Sequence, residues 1–252
     1  MLAILSPAKT LDYSSPIPVD APETEPRFEI ESMILAEAAA GLSARRLMDI
    51  MDISENLAVL NVERYANFLN LPERPAIYAF AGDVYIGFEA RSLDEPAIAF
   101  AQDHVRILSG LYGLLRPLDR IRPYRLEMGT RWAPGSGDLY GFWGNRIADL
   151  AAGDLGEEGS GTIINLASRE YWGAIEGRLA PDIRVITIDF RENGPAGLRF
   201  NSFAAKRARG MMARFLCEHR LSDPEALKQF DSDGYVYDPE GSEPDFWRFV
   251  RR

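Results

Sequence analysis

The sequence predicts an α/β fold, a single domain in which helices surround a mixed β-sheet. Short apolar runs of strand type alternate along the chain with apolar residues at helical spacing, which is typical of α/β domains. No long or low-complexity linker divides the 252 residues, so we expect one domain over 1–252, with the acidic tail of about 218–252 as part of it. Neither a dinucleotide-binding G-x-G-x-x-G after a strand nor a P-loop motif occurs, so the order of elements indicates neither a Rossmann nor a P-loop fold.

The chain begins with the apolar run LAIL at 2–5, which predicts a buried strand followed by a polar turn at 6–10. Residues 14–26 are rich in proline and acidic residues and predict an extended surface loop. Apolar residues at helical spacing follow over 28–40, and Gly41 is a helix stop signal.

Residues 42–70 predict two helices separated by a tight break at Asp52-Ile53-Ser54. Either Asp52 or Ser54 can cap the second helix, because a side-chain oxygen at that position accepts a hydrogen bond from an otherwise unpaired amide.

The middle of the chain consists of short elements. We expect a strand at PAIYAF (75–80), a glycine turn opening GDVYIGFEA (82–90), a short helix ending near His104, a buried strand at VRIL (105–108), and glycine-rich loops at 132–144 and 151–161 on either side of a helix.

The last third predicts a buried strand at TIINLA (162–167) that leads into Ser168. In RVITIDFRE (184–192) apolar and polar residues alternate, which indicates a half-buried strand, and LRF (198–200) pairs with it. A helix over about 203–219 precedes short strands at YVYD (235–238) and FWRFV (246–250).

The composition excludes several classes of protein. A single cysteine excludes an intramolecular disulfide, and with only two histidines neither a structural zinc site nor another metal site is expected, nor any cofactor. No apolar run approaches the ~18 residues of a membrane span, and the N-terminus lacks the basic region of a signal peptide. We therefore expect a cytoplasmic protein that does not associate with membranes.

Basic residues are concentrated in two blocks, although the net charge is −10. Between residues 106 and 131 there are six arginines and two acidic residues, and between 199 and 217 there are five basic residues and no acidic ones. An acidic chain with such blocks can still present a positive cleft to an anion.

The second block lies on the helix predicted at 203–219. Helical spacing places its basic residues on an arc opposite the apolar one, with Gly210 at the centre of the basic arc. A glycine there allows either a phosphate or another backbone to approach closely.

The first block contains turns that favour anion binding. Arg116 and Arg125 can grip a phosphate bidentately, while Tyr112 and Tyr124 offer flat faces for stacking bases. Polar residues at the predicted strand ends also suggest a pocket, because α/β folds bind ligands there. The residues expected at this edge are Ser6, Lys9, Asp83, Ser109, Tyr112, Arg116, Asn165, Ser168, Tyr171 and Lys206.

Five long segments together resemble the YaaA peroxide-stress family. They are LSPAKTLDY, GDVYIGFEA, LSGLYGLLRPLDRIRPYRLEMGT, NLASREY and AAKRARGMMARF, which occur in the family's order from the start of the chain to about 217. The resemblance implies a bacterial cytoplasmic protein of the hydrogen-peroxide response that limits iron-driven DNA damage. It also implies a fold particular to the family, a helix-hairpin-helix element, for which 42–70 is the candidate, and a positive cleft that binds DNA without strong sequence preference.

Two functional hypotheses are open. The first is DNA or anion binding, for duplex, damaged or recombining DNA, by Ser6, Lys9, Thr10, Ser109, Tyr112, Arg116, Arg122, Tyr124, Arg125, Asn165, Ser168, Lys206, Arg207, Arg209 and Arg214. The second is an enzyme acting on a small nucleotide-like ligand or nucleobase in a pocket lined by Ser6, Lys9, Ser109, Tyr112 and Lys206. Direct iron sequestration is disfavoured, because histidine and cysteine ligands are scarce.

Overall fold

A computed structural model describes residues 1–18, 21–195 and 197–251. Its centre is an eight-stranded mixed sheet with the order β4-β3-β1-β6-β7-β10-β9, and β8 pairs with β7. These strands are β1 (Leu2–Leu5), β3 (Val105–Ser109), β4 (Gly113–Leu115), β6 (Thr162–Leu166), β7 (Arg184–Gly194), β8 (Gly197–Arg199), β9 (Tyr235–Glu243) and β10 (Phe246–Arg251), while β2 (Arg74–Pro75) and β5 (Arg120–Ile121) form a separate two-stranded pair.

Helices surround this sheet. They are α1 (Glu29–Ala40), α2 (Ala44–Met51), α3 (Glu55–Ala66), α4 (Ala76–Ala79), α5 (Asp83–Phe88), α6 (Glu95–His104), α7 (Leu139–Trp143), α8 (Arg146–Glu158), α9 (Arg169–Trp172) and α10 (Ser202–Glu218), with 3-10 turns at Phe68–Asn70, Ala90–Ser92, Pro224–Gln229 and Ser232–Gly234. The predicted α/β class with a mixed sheet is confirmed. Within the described ranges, none of these helices is long and apolar enough to cross a bilayer.

Five neighbouring strands of the sheet are parallel. β1 lies between β3 and β6, with Ala3 opposite Val105 on one side and Ile164 on the other, and β7 and β10 continue the parallel set. All four residues of β1 and all five of β6 are buried, because a central parallel strand is covered on both faces. The carboxyl ends of β1, β3 and β6 therefore meet at one edge of the sheet.

The two strands that flank this parallel set, one at each edge of the sheet, run in the opposite direction. β4 is antiparallel to β3, and β9 is antiparallel to β10. Residues that follow β4 consequently lie at the opposite edge from residues that follow β1 and β6. One cluster of buried apolar side chains extends from Met1 to Phe249, so the tail strands β9 and β10 belong to the same core as β1.

Three local predictions are wrong, and the first is the loop over 132–144, where Leu139–Trp143 forms α7. Residues 76–79 form helix α4 instead of a strand, because the amides of Ala76 and Ile77 donate to the carbonyl oxygens of Asp119 and Pro117 at 2.9 Å each, which overrides local propensity. Much of the predicted glycine-rich loop at 151–161 lies in α8, which continues to Glu158 because its apolar side is buried and outweighs the cost of its glycines.

Segment 42–70 contains the two predicted helices, α2 and α3, with the break at Asp52-Ile53-Ser54. Asp52 adopts the left-handed conformation with φ of 50°, and Ser54 occupies the N-cap position of α3, but the Ser54 side chain accepts no capping hydrogen bond from the described residues. Acidic residues stand on both sides of the turn, at Asp52 and Glu55. The use of this segment as a DNA-binding helix-hairpin-helix stays a prediction.

Candidate functional site

A cavity of about 250 Å³ opens at the carboxyl edge of the parallel strands. Its walls come from the loop after β1, the start of α5, the loop after β6 and one side of α10, and they include Ser6, Lys9, Thr10, Gly82, Asp83, Ser168, Glu170, Tyr171, Lys206 and Arg209. This edge is where α/β folds place ligands, since loops from adjacent strands converge there.

Ser6 and Ser168 join the two central strands at the floor of the cavity. The backbone amide of Ser168 donates to Oγ of Ser6 at 2.8 Å, and the two hydroxyl oxygens lie 3.4 Å apart. The Tyr85 hydroxyl donates to the carbonyl oxygen of Ser6 at 3.1 Å. The floor is therefore fixed by hydrogen bonds from β1, β6 and α5.

A second, larger cavity of about 630 Å³ adjoins the first and shares Ser168, Lys206 and Arg209 with it. Asn165 and Arg169 line this second cavity, together with the aromatic side chains of Trp172, Phe200 and Phe246. The three shared residues therefore form a wall between two compartments.

The cations of the shared wall have no carboxylate partner within ion-pair distance in the described part of the chain. Lys206 is exposed and lies 5.7 Å from the centroid of the Phe203 ring. Arg209 is partly covered, and its Nε is buried without a hydrogen-bond partner among the described residues. Burial lowers the pKa of Arg209, and Asp189 opposes that shift.

Lys9 reaches the smaller cavity from the loop after β1, with its side chain 65% exposed. Its Nζ lies 3.3 Å from Oε1 of Glu127, which also accepts a hydrogen bond from Nε of Arg125 at 2.6 Å. The other carboxylate oxygen of Glu127 is buried without a partner in the residues that the structure describes. Burial raises the pKa of the neighbouring Tyr171 well above its ordinary value, so its phenol stays protonated at neutral pH.

The expected basic arc of α10 needs a correction at its centre. Gly210 is buried against α5, and a Cβ there would lie 1.8 Å from the carbonyl oxygen of Val84. Gly87 of α5 packs reciprocally, since its Cβ would lie 2.0 Å from the carbonyl oxygen of Arg207. The sequence left two roles for Gly210, close approach of a phosphate or of another backbone, and the structure shows the second, with the backbone of α5.

Arg214 and Arg207 differ in their surroundings. The Arg214 guanidinium donates to the carbonyl oxygens of Phe88 and Glu89, at 3.3 and 3.0 Å, and pairs with Glu218 at 2.7 Å. Arg214 therefore caps the C-terminal end of α5. Arg207 is exposed and has no ion-pair partner within the described ranges.

The arginines of the first basic block meet carboxylates of the protein itself. Arg106 pairs with buried Asp154, Arg116 with Asp119 at 3.0 Å, Arg120 with Glu25, Arg122 with Glu73 at 2.7 Å and Arg125 with Glu127 at 2.6 Å. Burial raises the pKa of Asp154, but hydrogen bonds from Arg27 and Arg106 outweigh burial and hold it below its ordinary value. The positive charge of this block is thus largely compensated internally.

The expectation that Ser109, Tyr112 and Arg116 line the same cleft as Lys9 and Lys206 is wrong. Arg116 follows β4, whose antiparallel direction carries it to the opposite edge of the sheet. The Ser109 hydroxyl is fully buried, lies 2.7 Å from the Tyr124 hydroxyl and accepts from the amide of Tyr112 at 2.9 Å.

Tyr112 and Tyr124 are covered as well, so neither ring is available for stacking bases. They meet edge to face with centroids 5.4 Å apart, and burial raises the pKa of both. The Tyr112 hydroxyl accepts from the amide of Arg122 at 2.9 Å.

The structure brings together part of the predicted set and adds residues that sequence reasoning missed. Ser6, Lys9, Thr10, Asp83, Ser168, Tyr171, Lys206 and Arg209 line the smaller cavity, and Asn165 lines the larger one. Glu170, Trp172, Phe200 and Phe246 were missed. Glu170 and Trp172 are neighbours of the predicted residue Tyr171, which is a usable signal, whereas nothing in the local sequence indicates Phe246.

The chemistry of the shared wall suits an oxyanion. Two cations and a serine hydroxyl face the same space, and charge-assisted hydrogen bonds to phosphate are the strong ones. No group of three or more potential His, Cys, Asp or Glu metal ligands occurs in the part of the chain that the structure describes.

Comparison with known proteins places the chain in a family. A sequence model of the peroxide stress protein YaaA family matches residues 1–241. The chain belongs to this family. The resemblance inferred from the five segments is thereby confirmed, as is the expectation of a peroxide-stress protein.

Several relatives match over the full length. A UPF0246 protein of Rhizorhabdus wittichii is 64% identical over 252 residues, covering 100% of this chain and 99% of the relative. UPF0246 proteins of Cupriavidus metallidurans and a Jannaschia species are each 47% identical, over 260 and 254 residues, and cover 100% of this chain and 99% and 97% of their own. The similarity thus includes the tail as well as the five segments.

Proposed function

We propose that this protein binds DNA in the cytoplasm, without strong sequence preference, during the response to hydrogen peroxide, and that binding protects DNA from iron-driven oxidation. The observation that carries the proposal is the difference between the two basic blocks. The arginines at 106–125 are paired with carboxylates, whereas the exposed Lys206 and Arg207 on α10 have no such partner within the described residues.

Exposed cations without partners are the groups that contact phosphates. Lys206 and Arg207 are exposed in the first half of α10, and exposed Arg169 lines the larger cavity together with Lys206. Because a chain of net charge −10 repels DNA at long range, contact requires such a local concentration of positive charge. Contacts with phosphates carry no sequence information, which supports binding that is indifferent to sequence.

Contact with phosphates also supplies a physical route to protection. DNA condenses cations around its phosphates, and Lys and Arg side chains release them when they bind. Ferrous iron held at phosphates generates radicals from peroxide next to the sugar. Replacing that iron by ammonium and guanidinium groups therefore reduces strand breakage at the bound sites.

The first test compares DNA affinities of two double variants by fluorescence anisotropy. Lys206→Gln/Arg207→Gln removes two unpartnered charges, and Arg120→Gln/Arg122→Gln removes two charges that pair with glutamates. We expect the α10 variant to bind two unrelated duplexes at least tenfold more weakly and the control variant to bind like wild type. Equal affinities for wild type and the α10 variant would exclude this surface.

The second test measures protection directly. Supercoiled plasmid is incubated with ferrous iron and peroxide, and nicking is followed on a gel in the presence of each protein. Wild type and the Arg120→Gln/Arg122→Gln control are expected to reduce nicking, and the α10 variant is not. If the α10 variant protects the plasmid as well as wild type does, protection does not depend on DNA binding at this face. That result would refute the proposal that these side chains displace iron from the phosphates.

A further inference from the structure

We propose that the two adjoining cavities form one binding site for a single nucleotide unit, whose phosphate contacts the shared wall of Ser168, Lys206 and Arg209 and whose base lies in the larger compartment. This inference goes beyond binding of the DNA backbone, because it concerns the two cavities beside α10, which share only Lys206 and Arg169 with the proposed DNA-binding face. It rests on the unpartnered cations, the aromatic lining and the polar lining described next.

The shared wall favours a phosphate. The buried Nε of Arg209 has no partner in the described chain, and an unpaired buried polar group is unfavourable. The carboxylate that influences Arg209 most is Asp189, but Asp189 accepts hydrogen bonds from Arg191 at 2.8 Å and Arg248 at 3.4 Å. An oxyanion between Arg209 and Lys206 satisfies both cations.

The larger compartment favours a planar base. Trp172, Phe200 and Phe246 line it, and the Phe200 ring is 51% exposed towards solvent. The Arg191 guanidinium lies over that ring, 5.3 Å from its centroid. Exposed aromatic faces beside cations are the usual means of stacking unpaired bases.

The smaller compartment extends the polar surroundings of the phosphate beyond the shared wall. Asp83 and Glu170 provide carboxylates, and Ser6 and Thr10 provide hydroxyls. Gly82 packs closely on the loop after β1, since a Cβ at Gly82 would lie 3.1 Å from Cβ of Ala8. Lys9 lines this compartment as well, so with Lys206 and Arg209 three cations offset the two carboxylates on the phosphate side of the wall, while the sugar leads from the phosphate into the larger compartment.

A nucleotide unit can reach this site from two sources. A free mononucleotide can diffuse in, or a nucleotide can be extruded from DNA that is bound nearby, as enzymes that act on bases extrude theirs. The chemistry recognised is the same in both cases. The source is decided by experiment.

The first arm measures binding of deoxyadenosine monophosphate by isothermal titration calorimetry. Arg209→Met removes the partly covered cation of the shared wall, Phe200→Ala removes the exposed stacking face without disturbing the core, and Arg45→Gln is the control that removes an exposed charge on α2. A free-nucleotide site predicts at least tenfold weaker binding to each of the first two variants and unchanged binding to the control.

The second arm uses two DNA duplexes that differ by one unpaired adenine. If the nucleotide comes from DNA, wild type prefers the duplex with the unpaired base by at least fivefold. Arg209→Met and Phe200→Ala then lose that preference while they still bind the fully paired duplex. The inference is supported if either arm gives its expected pattern. It is overturned if wild type neither binds the mononucleotide nor prefers the unpaired base, or if both variants retain wild-type behaviour in both arms.

Because the first arm contains no DNA, its result does not depend on the proposed DNA-binding face. Failure of duplex binding with retained mononucleotide binding would refute the proposed function alone. The opposite pattern, duplex binding without any effect of Arg209→Met or Phe200→Ala, would refute the nucleotide site alone.

Discussion

Replacement of Gly210 by alanine tests the packing of α10 on α5, which positions both walls of the candidate site. A Cβ at Gly210 would lie 1.8 Å from the carbonyl oxygen of Val84 and 2.7 Å from the backbone nitrogen of Phe88. Both obstacles are backbone atoms, so no side-chain rotation relieves the clash. The helices must separate by roughly 1.5 Å to restore an ordinary contact.

The change in stability expected for Gly210→Ala is the sum of two opposing effects. Overpacking of a tight contact costs about 1–3 kcal/mol, and the rigid obstacle here places the cost near the upper end. Alanine in place of glycine favours the helix by about 1 kcal/mol. We expect a net destabilisation of about 2 kcal/mol, which corresponds to a melting temperature lower by roughly 4–8 °C for a domain of this size.

The assay is urea and thermal unfolding of Gly210→Ala beside a matched control in another helix. Gly153 lies in α8 with nothing within 4 Å of its Cβ position, so Gly153→Ala is expected to stabilise the protein by about 0.5–1 kcal/mol. Opposite signs for the two substitutions support the close helix contact. Stabilisation by Gly210→Ala, as an exposed basic arc would produce, refutes it.

Three further predictions concern stability, redox chemistry and the helical hairpin. Asp154→Asn leaves Arg106 buried without its anion and should destabilise the protein by about 3 kcal/mol at pH 7. Because the folded-state pKa of Asp154 is lowered, its stabilisation is present above about pH 4 and is lost as pH falls further, so urea unfolding at pH 3 should show a smaller difference between variant and wild type. Cys217 is fully buried and burial raises the pKa of its thiol, so it should react with a thiol reagent only after unfolding in urea, and rapid reaction of the native protein would contradict this. Arg45→Gln/Arg46→Gln removes two exposed charges from α2, and a loss of duplex affinity by anisotropy as large as that of the α10 variant would assign DNA binding to the hairpin instead.

Much of the fold follows from local patterns in the sequence. The fully apolar run at 2–5 and the alternation at 184–192 each specify a strand, and a long amphipathic segment specifies α10. The short helix at 76–79 does not follow, because the amides that stabilise it find their acceptors in residues 117–119, some forty positions away. Contacts of that range have no local signature.

The candidate site was predictable where it depends on strand ends. Ser6 and Ser168 follow parallel neighbours, so the rule that parallel strands share a carboxyl edge brings them together. Arg116 was misplaced because the short turn that reverses β4 relative to β3 sends it to the other edge.

The roles of the arginines were hidden for a different reason. Arg106 and Arg120 find their acidic partners, Asp154 and Glu25, in distant segments, so net charge within a block does not reveal which cations are compensated.

The salt dependence of duplex binding tests most directly whether the unpartnered cations Lys206 and Arg207 of α10 bind DNA phosphates. Each phosphate contact steepens the fall of log affinity with log salt by about 0.9. We predict that Lys206→Gln/Arg207→Gln flattens the slope by up to about 1.8, while Arg120→Gln/Arg122→Gln, which removes the same charge, keeps the wild-type slope. A wild-type slope in the α10 variant, or equal flattening in both variants, would contradict the claim.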